Sequence, residues 1–380
     1  MERRYGPQTG PSALDTDLMR KIDRYIIFAY WRTFLFVCLA LSMIAMVIDY
    51  SEKVEEFIDE PLLTNQEIIF DYYVNFVLWI NGVLWPLFAL IAVIFFTSRL
   101  ANNSEIISIL NAGVSFNRMM RPYLIAGGVI ALFHFVGNHY AIPRGNKIKL
   151  DFEHSYVWKE SDRGKTRDIH MFIGPQEKAF VRYYRKKDTT LVDFRLERFE
   201  GNRMKWMLKA RSVEWKGEPD LWQIRGYEIR EFDGKNETLI DGEGKRIDTT
   251  LNLHPSDFVR YTNQKEMLTT PELRQFIVKE RERGLTNTRM YQIELYRRTA
   301  DPIAIIILTI IGMAVAARKA RGGMGLHLGL GIVLSAIFIF LSRLSITFAT
   351  SEGMPAMLGV WLPNIVFSGV ALILVRKAQK

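Results

Sequence analysis

Six long apolar runs divide this chain: Tyr25 to Ile48, Phe70 to Phe96, Pro122 to Ile142, Pro302 to Ala317, Leu326 to Ala349 and Pro355 to Val375. A helix rises about 1.5 Å per residue and the hydrocarbon core of a bilayer is about 30 Å thick, so roughly 20 apolar residues cross it. Hydrocarbon offers backbone N–H and C=O groups no partner but each other, which for single runs of this length selects helix. The runs therefore predict an α-helical integral membrane protein with six transmembrane helices. The fourth run is the shortest and is expected to extend toward Leu295, with Asp301 as a helix cap and Pro302 at the first helical position. The first run follows about two dozen polar residues and is too long for a signal peptide, so it reads as an uncleaved span.

Cations in the short connections set the expected orientation. Arg20, Lys21 and Arg24 precede the first run. Arg99, Arg118 and Arg121 lie between the second and third, Arg318, Lys319 and Arg321 between the fourth and fifth, and Arg376, Lys377 and Lys380 after the sixth. The alternate connections differ: Ser51 to Glu67 holds a single Lys53 among six carboxylates, and Thr350 to Met354 holds no cation. Both termini are expected in the cytoplasm and the segment between the third and fourth spans outside it.

That segment has another periodicity. Val192, Phe194 and Leu196 alternate with Asp193, Arg195 and Glu197, and after Glu200-Gly201-Asn202 the residues Met204, Trp206 and Leu208 alternate with Lys205 and Lys209. This is the pattern of half-buried strands. Further strands are expected at Ser212 to Trp215 and Leu221 to Ile229, with turns at Gly217, Asp233-Gly234 and Asp241-Gly242. An all-β sandwich or jelly roll follows, then an amphipathic helix from Pro271 to Arg283, capped by Thr270 and ended by Gly284. The expected organisation is a polar, mobile tail at 1–19, three spans within 20–142, an extracytoplasmic all-β jelly-roll domain at 143–260, a helical connection at 261–300 and three spans within 301–380. The halves do not repeat, so no inverted-repeat transporter signature is present.

Composition narrows the function. The 380 residues are 49% hydrophobic and 24% charged, and 50 Lys and Arg against 41 Asp and Glu leave +9, most of it flanking apolar runs rather than forming a nucleic-acid-binding face. The single cysteine, Cys38, allows no intrachain disulfide and no cysteine-based zinc site. No phosphate-binding Gly-x-x-x-x-Gly-Lys-Ser/Thr loop occurs, and Gly242-Glu243-Gly244-Lys245 has the wrong spacing. Six scattered histidines match no metal motif and there is no nucleophile elbow, so neither a catalytic nor a metal site is expected.

Two features carry functional interest. The connection at 102–114 reads as a short helix, with Asn102 as cap, Glu105 near its positive end, an apolar edge of Ile106, Ile109, Leu110 and Val114, and Gly113 as terminator. It is either an interfacial helix among lipid headgroups or a helix that docks in the groove of a cytoplasmic partner. Arg343 lies well inside the fifth run, where an ionised group is costly and needs a carboxylate, a phosphate or water; structural pairing and contact with an anionic ligand remain open. Arg32 and Asp49 can snorkel. Lys53 could receive an anion, diluted by Glu52, Glu55 and Glu56. Gly325, Gly329 and Gly331 are of the kind that lets helices approach closely.

Lys21-Ile22-Asp23-Arg24-Tyr25-Ile26, Pro86, Ser104-Glu105-Ile106 to Asn111-Ala112-Gly113-Val114-Ser115, Leu253-His254-Pro255-Ser256-Asp257-Phe258, Tyr291 to Pro302 and Trp361-Leu362-Pro363-Asn364 together resemble the lipopolysaccharide export permeases of the LptF/LptG type. The resemblance covers nearly the whole chain after Met19, and the start at Ile22-Asp23-Arg24-Tyr25 leans toward the G type. It implies a heterodimer of two paralogous permeases in the bacterial inner membrane, a cytoplasmic ABC ATPase dimer that binds ATP, periplasmic jelly-roll bridge proteins, a single-span partner, and lipopolysaccharide as the transported lipid. By that resemblance Ser104, Glu105, Ile106, Leu110 and Gly113 belong to an ATPase-coupling helix, the first and fifth spans to lateral gates, and Arg343, Lys53 and Arg32 to substrate binding. Glu52 stands where some members carry a second cation. The alternatives are another ABC exporter or lipoprotein-release subunit, or a receptor or scaffold that transports nothing and uses the β domain to bind a ligand.

Overall fold

A computed structural model describes residues 13–61, 63–158, 167–234, 236–258, 263–283, 288–317, 323–351 and 353–378. The expectations placed on residues 1–12, Gly284, Arg318, Lys319, Arg321 and Lys380 lie outside them. The helices are α1 (Ala13–Ile58), α2 (Val74–Asn102), α3 (Glu105–Asn111), α4 (Phe116–Val136), α5 (Ile142–Phe152), α6 (Gln264–Met267), α7 (Thr270–Glu282), α8 (Arg289–Ala316), α9 (Gly323–Thr350) and α10 (Ala356–Ala378). Wider π-helical turns at Glu67–Tyr73, Gly137–Ala141 and Glu153–Val157 lead into α2 and flank α5. Six helical stretches are long and apolar enough to cross a membrane: Lys21–Ile58, Glu67–Asn102, Phe116–Val157, Arg289–Ala316, Gly325–Thr350 and Ala356–Ala378.

Several limits differ from those read in the sequence. Helix α1 continues to Ile58 and the third stretch to Val157, so 143–157 is helical where the β domain was expected to begin. Residues Ala13 onward, assigned to a mobile tail, begin α1. Asp301 and Pro302 do not start the fourth helix but sit inside α8, which begins at Arg289. A mid-helix proline removes one N–H and crowds the carbonyls before it. The carbonyl that loses its donor to Pro302 is that of Arg298, four residues back, while Asn364 of α10 donates Nδ2 to the Ala300 carbonyl at 2.8 Å, a tertiary bond to the same turn.

The chain forms two compact units. The first comprises Met1–Glu52, Tyr73–Gly145 and Ile293–Lys380. Its core joins α1, α2, α4 and α8 around three rings, Tyr30, Phe96 and Tyr123, stacked at 5.6 and 5.2 Å. The Tyr30 hydroxyl shares a 2.8 Å hydrogen bond with Thr309, and Thr97 Oγ1 donates to the Tyr123 hydroxyl at 3.2 Å, so neither of these two phenols is stranded. Helices α2 and α8 touch where a Cβ on Gly312 would collide with Val93, and α2 and α9 touch where one on Gly331 would reach Ile94. Gly325 and Gly329, expected to serve the same purpose, have open space there: among the described residues, nothing lies within 4 Å of where a Cβ would stand.

Gly312→Ala is accordingly expected to overpack the α2–α8 contact at a cost of about 1–3 kcal/mol. Gly128→Ala, with open space around it, gains helix propensity and should be neutral or stabilising. Thermal midpoints of both variants in mild detergent decide; equal midpoints would show that the crossing relaxes freely.

The second unit comprises Lys53–Tyr72 and Asn146–Gln292. Its sheet runs β1 (Arg167–Gly174), β2 (Glu177–Arg185), β3 (Thr190–Glu200), β4 (Arg203–Gly217), β5 (Leu221–Asp233) and β6 (Asn236–Thr250), each strand antiparallel to the next in chain order. The all-β domain is thus a meander, since its short turns leave no room for the Greek-key crossings of a double-sheet jelly roll. Ser212 to Trp215 is the second half of β4 rather than a strand of its own. The turn expected at Asp241-Gly242 lies inside β6, where Gly242 admits the ring of Tyr227 against its backbone, opposite a register shift between Arg225 and Tyr227. That is a bulge, which glycine permits for want of a side chain.

The core of this unit buries Ile169, Val181, Phe194, Leu208, Val213 and Trp222 in one contiguous cluster. Leu251, Leu253 and Phe258 of the segment leaving β6 complete it. Trp222 Nε1 donates to the Leu253 carbonyl at 2.8 Å, and Asn252 Nδ2 to that of Ile173 at 2.7 Å. Helix α7 starts one residue earlier than read: Thr269 is its cap and forms a reciprocal capping box with Glu272. Its last turn returns Arg283 to the exit segment, 2.9 Å from the Asn252 carbonyl and 2.6 Å from Asp257 Oδ2.

Candidate functional site

The short helix α3 arises because α2 stops at Asn102 and the chain reverses through Ser104, which holds a left-handed φ of 64°. Asn102 is therefore the last residue of α2, not a cap, and Ser104 occupies the cap position without a side-chain bond. Gly113, at φ 87°, terminates the segment as its spacing predicted. Ser115 Oγ then accepts from the Arg118 N–H at 3.3 Å and starts α4.

The side chains of α3 divide between inside and outside. Ile106, expected on the partner-facing edge, is 1% exposed and belongs to the same core as Ile26, Phe116 and Tyr123. Ile107 and Leu110 remain exposed at 42% and 37%, so the outward apolar surface is made by these two. Ile107 does not stand out in the sequence, because the apolar spacing alone does not say which edge of a seven-residue helix faces in. Glu105 is engaged from two sides: the Tyr25 hydroxyl donates to Oε2 at 3.2 Å and Asn103 Nδ2 to Oε1 at 3.1 Å. Asp23 holds Arg118 through two bonds, 2.9 and 2.6 Å long.

Along the same unit an apolar groove of about 320 Å³ opens between three helices. Phe36, Val37, Ala40 and Leu41 of α1, Ile91 and Ile94 of α2, and Leu328, Gly331 and Ile332 of α9 line it. On α9, Arg343 is exposed and no carboxylate among the described residues lies within 4 Å, although Asp301 of α8 is within electrostatic reach. Arg32 of α1 is also exposed and turns Nε back to the Phe28 carbonyl at 3.4 Å.

The family of lipopolysaccharide export system permeases LptF/LptG matches residues 24–377. The chain belongs to this family. Among curated proteins nothing matches it. This member of the lipopolysaccharide export permeases is a multi-pass membrane protein with six apolar helices and a β domain inserted between the third and fourth, a permease rather than an enzyme.

In this permease Lys53 has internal company. Its ammonium lies 2.7 Å from Glu153 Oε1, against the Tyr72 hydroxyl, and Lys149 takes Glu153 Oε2 at 3.0 Å. Phe57, Tyr72 and Phe152 wall the cluster with rings 5.1 to 6.1 Å apart. An anion arriving at Lys53 would meet an ammonium already engaged by Glu153, a carboxylate that it shares with Lys149. The partners Lys149 and Glu153 are not legible in the sequence, because nothing in their spacing ties them to a residue about a hundred positions earlier.

The permease also carries a charge ladder on α8 that sequence reasoning missed. Glu294 accepts from Arg297 at 3.0 Å and from Arg298 at 3.2 Å, and Arg297 lies 3.7 Å from Asp301. Spacings of three and four residues along Glu294-Leu295-Tyr296-Arg297-Arg298-Thr299-Ala300-Asp301 are its signal. Outside the spanning stretches, Asp257 is the buried acid with the clearest perturbation: burial works to raise its pKa, but the hydrogen bonds from Arg283 and the His254 N–H hold it below the usual carboxylate range.

Proposed function

We infer that this permease is one half of the transmembrane part of an ATP-driven complex that extracts lipopolysaccharide from the inner membrane and passes it to a periplasmic bridge. The observation that carries this reading is the apolar groove between α1, α2 and α9, in a chain of the lipopolysaccharide export family. Its volume falls within the range of about 300–1,000 Å³ usual for ligand sites. An acyl chain leaving the bilayer must exchange one apolar surface for another, since each methylene exposed to water costs about 0.8 kcal/mol. Apolar walls on three helices meet that demand, and the exposed Arg343, further along α9 than the Leu328 to Ile332 wall, supplies positive charge for phosphates or sugar acids.

The energy comes from elsewhere. The nearest approach to a phosphate loop, Gly242-Glu243-Gly244-Lys245, is part of strand β6, so ATP is bound by a separate cytoplasmic ATPase dimer. Glu105, Ile107 and Leu110 on α3 form its docking surface, with Ser104 and Gly113 shaping the two ends and Ile106 anchoring the helix from beneath. A second, paralogous permease closes the groove from the other side, a single-span partner joins the complex, and both termini lie in the cytoplasm with the β domain in the periplasm. Cation placement in the connections supports that orientation.

The test is affinity purification of the chain from membranes in mild detergent, with mass spectrometry of the proteins and lipids that accompany it. A second six-span permease, a P-loop ATPase and bound lipid A-containing glycolipid are expected. A chain without ATPase, even after cross-linking in cells, would overturn the reading in favour of a receptor or scaffold.

A further inference from the structure

The start of α3 and the first turn of α4 that follows it are both tied to the first half of α1. Tyr25 reaches Glu105, the first residue of α3, at 3.2 Å, and Asp23 holds Arg118 in the first turn of α4 through its two bonds. The second tie is a half-buried, bidentate, charge-assisted pair, of the kind that holds its geometry. The first is a single bond from an exposed phenol to a half-buried carboxylate, which an incoming cation can perturb directly. From Tyr25 the helix runs without interruption to Phe36 and Val37 on the groove wall. Eleven residues of helix span about 16 Å, a length over which a packed helix moves as a rod rather than bending.

We propose that Tyr25 is a positioning residue that reads the state of Glu105 and transmits it through α1 to the wall of the apolar groove. Engagement of Glu105 by a cationic side chain of the cytoplasmic ATPase weakens the phenol bond by taking up the acceptor's charge. The Asp23–Arg118 pair remains as the pivot, and the Phe36–Leu41 face of α1 shifts against α9. This rests on the reading of α3 as the docking segment and adds the route by which docking reaches the groove.

The experiment uses the assembled complex in proteoliposomes. Tyr25→Phe removes only the hydroxyl. It is expected to retain the ATPase on co-purification and to lower the lipopolysaccharide delivered per ATP hydrolysed at least threefold. Placed on Glu105→Gln, it should add no further loss, because the two groups act through one bond. A lipid-to-ATP ratio unchanged by Tyr25→Phe, or losses that simply add in the double variant, would overturn the proposal. Should Tyr25→Phe assemble poorly, spin labels at the exposed Leu39 of α1 and Ile337 of α9, in a Cys38→Ser background, give a second measurement. Their separation in the complex with native Tyr25 and Glu105 should change when the ATPase is added, and an unchanged separation would equally overturn it. Failure of the underlying docking reading looks different: Glu105→Arg would then leave ATPase association itself intact.

Discussion

Arg283→Met should destabilise the β domain and its helical connection by about 3–5 kcal/mol, the usual cost of breaking a buried ion pair from one side. Arg283 is 1% exposed and joins α7 to the exit segment of the sheet through Asn252 and Asp257, with Glu280 3.5 Å away. Methionine keeps most of the volume but takes from the Asp257 carboxylate the cation that lies 2.6 Å from it. The thermal midpoint of the whole chain in detergent is expected to fall by roughly 6–20 °C, taking about 2–4 °C per kcal/mol for a unit of this size. A drop under about 2 °C would show that water or Lys279 replaces the guanidinium.

The pH dependence follows from the same pair. Because the folded Asp257 has a pKa below its unfolded value, its contribution is complete above about pH 4 and is lost as pH falls through the depressed folded value. In Arg283→Met the Asp257 carboxyl loses the guanidinium that favours its charged form while its burial remains, so the deficit relative to the native chain should narrow as pH drops from 7 toward 4. A deficit constant with pH would assign the loss to packing alone.

The second large effect is expected at Glu105. Reversing its charge with Glu105→Arg removes the acceptor of Tyr25 and Asn103 and places a cation where the proposed ATPase presents one. Loss of one partner from an interfacial charge pair costs about 2–5 kcal/mol, or at least about 30-fold in affinity. Titration of purified ATPase onto the permease measures it. Undiminished binding with undiminished lipid release would remove Glu105 from the mechanism. Because Ile106 is in the core, Ile106→Asp is no substitute for this test: it would unfold the segment that presents Glu105.

Much of the architecture is legible without coordinates because hydrocarbon and water impose periodicities that the chain must carry. The six spans follow from run length, and β3 and β4 follow from alternation at Val192 to Leu208. Element limits are less legible. Local capping rules start the fourth helix at Asp301, yet α8 runs from Arg289 through Pro302, and Asn364, sixty-four positions beyond Ala300, packs against that turn through its bond to the Ala300 carbonyl. Likewise Asp241-Gly242 has the composition of a turn, but the Tyr227 ring on the neighbouring strand uses that glycine as a bulge.

The candidate site divides in the same way. Glu105, Gly113 and Arg343 stand out in the sequence because a charge at a helix start, a terminating glycine and a cation inside an apolar run are local facts, complete in a few residues. That Tyr25 donates to Glu105, that Lys53 is engaged by Glu153, and that α1, α2 and α9 leave an apolar groove between them are facts about chain segments about 50 to 300 residues apart. The amino-acid order alone determined the number of spans, the inserted β domain and the family, since each is fixed by periodicity or by motifs read in succession. Only tertiary packing decided which apolar edge of α3 is buried, which charges are already paired and where a groove remains, because these depend on distances between segments that no local pattern encodes.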